Sequence, residues 1–158
     1  MTEQVKTARD GQAGEEIVSV ARSWLGTPYE HQSSCRGAGT DCLGLLRGVW
    51  RELVGNEPEA VPPYTPDWSE PAGSEDLLAA ARRHLHPVCK ECAQSGDVLL
   101  LRMREGGVAK HIGFLTCDNA GSRTMIHAYS GYGVVESPLT PAWARRIACV
   151  FRFPDRRV

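Results

Sequence analysis

The chain has 158 residues, 42% of them hydrophobic, with a formal net charge of −1. That length suits one globular domain with a core of its own and leaves little chain for a second. The near-neutral balance excludes the basic field of a nucleic-acid binder and any polybasic membrane patch, so a polymeric anion would have to be recognised locally.

Residues 1–14 are polar and contain glycine, which marks them as a flexible N-terminal segment ahead of a folded domain over 15–158. Met1-Thr2-Glu3-Gln4-Val5-Lys6 lacks the apolar core of a secretory signal, and no apolar run approaches the roughly 20 residues that span a bilayer. Synthesis as a soluble cytoplasmic chain without a signal peptide or membrane span is expected. Residues 15–25 read as a helix with Ile17, Val20, Ala21 and Trp24 on one face, closed by Gly26-Thr27-Pro28-Tyr29. A polar loop carrying His31 and Cys35 then delivers the chain to Thr40-Asp41-Cys42-Leu43-Gly44-Leu45-Leu46.

Thr40 is the expected N-cap of the next helix, 41–54, and Asp41 suits the positive end of its macrodipole. Gly44 and Gly48 form a small-residue strip, each costing about 1 kcal/mol against alanine. Close approach of a strand of a sheet would account for that cost. Cys42 lies in the first turn, where unpaired backbone N–H groups lower a thiol pKa, and is the candidate nucleophile. The plainer alternative is a small buried hydrophobe.

Residues 55–73 form a long proline-rich connector, whose Tyr64 and Trp68 are expected to pin it to the domain body. A helix follows over 75–84 with Leu77, Leu78, Ala81 and Leu85 inward. His84, His86, Cys89 and Cys92 are zinc-ligand types, but a lone CxxC is a weak signal, and neither a metal nor a cofactor is expected. The six cysteines of a cytosolic chain are expected as thiols. Strands are then expected over 97–101, 109–117, 123–129, 132–137 and 147–153. Helices first and strands afterwards give an α+β fold with an antiparallel sheet.

His111 and His127 fall on the two arms of the central hairpin, and symmetry about Asn119 would set them directly opposite, on one face. A slip of one residue would separate them. Laying that face on the Cys42 helix would bring together nucleophile, base and orienting group, the arrangement of papain-like hydrolases.

The same residues resemble the successive motifs of NlpC-type cell-wall cysteine peptidases: Gly26-Thr27-Pro28-Tyr29, Asp41-Cys42-Leu43-Gly44-Leu45-Leu46, Lys110-His111-Ile112-Gly113-Phe114 and Ile126-His127-Ala128. The similarity runs over residues 15–154. Pro62-Pro63-Tyr64-Thr65-Pro66-Asp67-Trp68 and His127-Ala128-Tyr129-Ser130-Gly131 are further similar to the subgroup encoded in phage tail and gene-transfer-agent clusters. The resemblance implies a papain-like fold and hydrolysis of peptidoglycan stem peptides, typically between γ-D-glutamyl and diaminopimelate. It implies Cys42 as nucleophile, His111 as base, His127 as third polar residue, and Tyr29 and Asp41 at the substrate. Delivery to the wall by a phage-like particle would follow from the subgroup. Leu43 departs from the family pattern, where many relatives carry a serine that helps to bind the free amine of a stem peptide. Two alternatives stay open: a papain-like thiol amidase or acyltransferase on another donor, and a catalytically silent tail structural protein.

Overall fold

The computed structural model describes residues 2–66 and 73–155, with side chains from residue 11 onward; Trp68 of the connector lies outside the described residues. The elements are α1 (Thr2–Arg22), β1 (Ser34–Cys35), β2 (Gly39–Thr40), α2 (Cys42–Leu53), α3 (Asp76–His84), β3 (His86–Val88), β4 (Val98–Arg102), β5 (Ala109–Cys117), β6 (Arg123–Tyr129), β7 (Gly133–Pro138), α4 (Pro141–Ala144) and β8 (Ile147–Arg152). Strands β3 to β8 form one antiparallel sheet in the order β3-β8-β4-β5-β6-β7, and β1 pairs with β2 as a separate small hairpin. The fold is thus α+β, as the order of helical and strand patterns implies.

The two faces of the sheet are covered differently. Alternation along the strands turns Leu100, Ile112, Phe114, Ile126, Ala128 and Phe151 toward α1, α2 and α3, where they pack with Ala21, Trp24, Leu45, Val49 and Leu77. Each leucine, isoleucine, valine or phenylalanine among them stabilises the fold by about 1.5–3 kcal/mol when fully buried. Leu99, Leu101, Leu115, Met125 and Val150 make a smaller core on the other face, with Leu139 and Trp143 over it.

Four expectations are corrected by this packing. Helix α1 begins at Thr2 rather than at residue 15, and Gly14 lies where α1 crosses the turn before β4, so close that a Cβ would come within 2.2 Å of the Ser95 carbonyl oxygen. The N-cap of α2 is Asp41, not Thr40: its Oδ1 accepts from the Gly44 N–H at 2.7 Å, while the Thr40 hydroxyl donates to the Asp41 carbonyl at 3.0 Å. The glycine strip of α2 does not rest on a strand of the sheet. A Cβ at Gly44 would sit 1.9 Å from the Ser33 carbonyl oxygen, and one at Gly48 would sit 2.0 Å from the Trp24 indole. Finally, Cys89 and Cys92 are joined as a disulfide around a 3-10 turn, following the edge strand β3 that carries Pro87. The expectation of thiols from compartment is corrected at these two, because two intervening residues in a 3-10 turn set the sulfurs within bonding reach.

The connector is held where the sequence places Tyr64. Its hydroxyl donates to Asp41 Oδ2 in a short hydrogen bond, and its carbonyl accepts from Gln32 Nε2 at 2.7 Å.

Candidate active site

The turn between β5 and β6 is centred on Ala120 rather than Asn119. Asp118 Oδ1 accepts from the N–H groups of Ala120 and Ser122, both at 2.9 Å, which takes residues 118–122 into the turn. The register is Thr116↔Thr124 and Phe114↔Ile126. Carried along the strands, it sets His127 beside Gly113 and His111 beside Tyr129. The expected direct opposition is therefore offset by two residues. An even offset preserves the shared face, so the histidines meet as diagonal neighbours, His111 Nε2 and His127 Nδ1 lying 2.8 Å apart. Gly113 makes room between them, since a Cβ there would strike Met125 at 2.4 Å and touch the His127 Cβ at 3.5 Å.

The histidine face is the one turned away from the helices, with Leu115 and Met125, not the one pressed against α2. The thiol reaches it through the end of a ladder. Pairing of β5 with β6 stops at Phe114↔Ile126, while β6 pairs with β7 as far as Tyr129↔Gly133. Near this end of β5, which β4 still pairs but β6 has left, Cys42 Sγ donates to the Lys110 carbonyl at 3.8 Å, on the residue before His111.

Burial sets the charge states. Cys42 is 7% exposed and its thiol is pushed up to about 12, by desolvation first and then by the Asp41 carboxylate. Backbone N–H groups of Ile112, Leu43 and Cys42 favour the thiolate, as the helix start predicts, but they do not outweigh burial. The expected lowering of this pKa is therefore corrected. Desolvation also lowers His111 to about 3, with His127 adding to the shift, and lowers His127 to about 4. At rest the site holds a neutral thiol and two neutral imidazoles.

The imidazole chain continues beyond the pair, because His127 Nε2 lies 2.7 Å from Ser137 Oγ. Ser137 carried no signal of its own, yet the β6–β7 register, His127↔Val135 and Met125↔Ser137, puts it on the His127 face. Around the pair stand Trp143, with ring centroids 5.9 Å from His111 and 5.2 Å from His127, and Tyr129, 5.5 Å from His127. Trp143 sits on the one-turn helix α4, capped by Thr140, within the stretch 138–145 that reads from the sequence as a turn or short helix.

On the thiol side, Tyr29 is half-buried, bridged to Thr40 and close enough to Cys42 and Asp41 that burial, then their charges, raise its phenol to about 12. Asp41 is 2% exposed, and its Oδ2 accepts from the Gln32 N–H at 2.7 Å and from Tyr64. Leu43 is buried and, with Leu46, Trp50, Leu77, Ile112 and Phe151, lines an apolar cavity of about 220 Å³ between α2, α3 and the sheet. Among the described residues no three His, Cys, Asp or Glu side chains converge as a metal site; the Cys89 and Cys92 sulfurs bond each other, and His84 Nε2 lies 3.4 Å from Glu59.

Residues 26–152 match the NlpC/P60 family. Among solved structures the chain is similar to an NlpC/P60 family protein from Bacillus cereus, at 22% identity and a TM-score of 0.61, covering 89% of this chain and 40% of that one. It is similar to NlpC1 from Trichomonas vaginalis at 18% identity and a TM-score of 0.59, covering 89% of this chain and 44% of that one. An N-acetylmuramoyl-L-alanine amidase from Bacteroides uniformis matches at 14% identity and a TM-score of 0.55, over 92% of this chain and 100% of that one. The chain thus spans less than half of the first two proteins. No curated protein matches it.

Proposed function

The chain belongs to the NlpC/P60 family, and on that premise we propose that it is a cell-wall cysteine peptidase that hydrolyses an amide bond of the peptidoglycan stem peptide. The observation that carries this reading is the file His111, His127, Ser137 standing where the Cys42 thiol meets the Lys110 carbonyl. Because His127 occupies His111 Nε2, only Nδ1 of His111 is left to serve the thiol.

Attack begins with transfer of the Sγ proton to His111 Nδ1 as sulfur bonds to the scissile carbonyl carbon. The backbone N–H of Cys42, at the start of α2, is the donor for the developing oxyanion. The imidazolium returns its proton to the amine nitrogen as the C–N bond breaks, leaving a thioester on Cys42. Water, deprotonated by the same imidazole, then releases the acid and regenerates the thiol. Tyr29 walls the cleft beside the sulfur, and Asp41 acts on substrate only through the helix start and the Tyr64 phenol it holds.

The scissile bond we propose is γ-D-glutamyl-diaminopimelate, and the carrier a phage-like tail, both resting on the motif resemblance. Leu43 has no hydroxyl for a free amine and is turned into an apolar cavity, which favours stems whose amino terminus is blocked by the glycan. Purified enzyme should be offered intact sacculi and free tri- or tetrapeptides, and the products weighed. A new diaminopimelate amine from intact sacculi is expected. Activity confined to free peptides would overturn tail delivery and make the protein a wall-recycling hydrolase. Release of whole stems from the sugar would instead favour the amidase reading that the match to the Bacteroides protein suggests.

A further inference from the structure

An aromatic stack leads from the histidine pair to the surface. The Tyr129 ring lies 5.5 Å from His127 at 28°, and the Tyr132 ring lies 5.5 Å from Tyr129 at 10°, so three rings lie near-parallel. Its outer member is 72% exposed, the most exposed large apolar side chain among the described residues. An aromatic of this size is ordinarily drawn into the core or left on a mobile tip. Tyr132 is neither, because the turn that carries it is braced.

The Tyr132 N–H donates to the Tyr129 carbonyl at 2.9 Å, closing the turn. The next residues are tied to the strip leading to Tyr29: Val134 N–H donates to the Thr27 carbonyl at 2.9 Å, and Gly26 N–H donates to the Val134 carbonyl at 3.0 Å. Gly133 has φ of +75°, and a Cβ there would lie 2.5 Å from the Thr27 oxygen, so glycine is required for that approach. An exposed ring on a fixed turn is preorganised for a flat apolar partner, with little ordering cost left at binding.

We propose that Tyr132, stacked on Tyr129 beside the catalytic histidines, is a platform for a pyranose ring of the glycan strand to which the stem peptide is attached. This rests on the peptidase reading above. The C–H face of a pyranose is apolar and meets the negative face of an aromatic ring, while the sugar hydroxyls stay in water. The reach suits the proposed bond: two α-linked residues extended span about 7 Å, and the γ-linkage of the glutamyl residue and the lactyl ether of the sugar lengthen that path further. Two successive ring spacings of 5.5 Å separate His127 from Tyr132.

The test compares a disaccharide-tetrapeptide with the N-acetylated tetrapeptide as substrates for wild type, Tyr132→Ala and Tyr132→Phe. The ratio of kcat/KM, disaccharide-peptide over peptide, should fall about tenfold in Tyr132→Ala through KM and be retained in Tyr132→Phe, with equal thermal midpoints. An unchanged ratio, whether both substrates suffer alike or neither does, overturns the platform. In parallel, saturation transfer from the protein to free N-acetylglucosaminyl-N-acetylmuramic acid should be seen with wild type and Tyr132→Phe and lost with Tyr132→Ala. If wild type cleaves neither substrate, the peptidase reading fails, and the transfer measurement still decides whether the rings hold a sugar.

Discussion

On the thiol side of the cleft the chain itself satisfies the polar groups several times over. Asp41 alone caps α2, receives Gln32 and anchors Tyr64, and the glycines of α2 admit a carbonyl and an indole at contact distance. On the imidazole side the hydrogen bonds run in single file, His111 to His127 to Ser137, beneath aromatic rings and at the end of a strand ladder. The first half is a fixed scaffold around a neutral thiol. The second, on the mechanism proposed above, is a proton path whose direction depends on few atoms, so damage to the two halves should read out differently, one in stability and the other in rate.

The sharpest way to expose that difference is to cut the path at its inner end. His111→Ala should lower turnover on a stem-peptide substrate by at least about 10³-fold, because base and general acid are lost together. His127→Ala should cost about 10²-fold and His127→Asn about tenfold, since an amide still accepts from His111. Turnover left unchanged in both His127 variants would mean that the second ring does not act through the first.

Next in size is a cut in the scaffold. Asp41→Asn keeps one acceptor oxygen but gives up the charged contacts, and should cost about 2 kcal/mol in urea unfolding. It also removes the carboxylate that raises the Cys42 pKa, so Cys42 should be alkylated faster in this less stable protein. In the wild type at neutral pH, iodoacetamide should modify the exposed Cys35 and Cys117 before the buried Cys42. Labelling of Cys42 first would show a resting ion pair and erase the contrast between the halves.

The same charge states predict how stability follows pH. The unfolded chain takes protons on both rings below about 6.5, while the folded chain resists until about 4 at His127 and about 3 at His111. Stability therefore falls as pH drops from about 6.5 toward 4, by up to about 1.4 kcal/mol per unit for each ring. Cys42 acts at the other end: the unfolded thiol ionises above about 8.5, the folded one only near 12, so stability falls again as pH rises past about 8.5. Urea midpoints across pH should show this plateau, and His127→Asn should flatten its acid side.

Much of this arrangement is legible in the sequence. Strands β5 and β6 begin and end where alternation and the Asp118 turn place them, the His111 and His127 rings lie within hydrogen-bond distance, and the Cys42 thiol meets the backbone one residue before His111. Register was not legible, because the Asp118 side chain draws two more residues into the turn, and only the even period of the strand kept the histidines on one face. The layer was misplaced because the α2 glycines were assigned to the sheet when Trp24 and Ser33 claim them. Composition does not weigh a helix N-terminus against full burial, and at Cys42 burial outweighs the backbone N–H groups.

The smallest effect tests the outer end of the proton path. For His111 to accept the thiol proton on Nδ1, its own proton must sit on Nε2 and be donated to His127 Nδ1; His127 then carries its proton on Nε2 and donates to Ser137 Oγ. The reverse tautomers satisfy the same distances with Ser137 donating, but they leave His111 protonated toward the thiol and useless as a base. A hydroxyl can serve either direction and selects weakly. Ser137→Ala should therefore lower kcat/KM only about two- to fivefold and cost about 1 kcal/mol of stability. Ser137→Asp supplies an acceptor that cannot donate, enforces the working tautomers, and raises both imidazole pKa values by its charge. Its acid limb of kcat/KM should move to higher pH than that of the wild type, which lies well below 6.5. An acid limb unmoved by the new carboxylate would show that Ser137 only fills space beside His127.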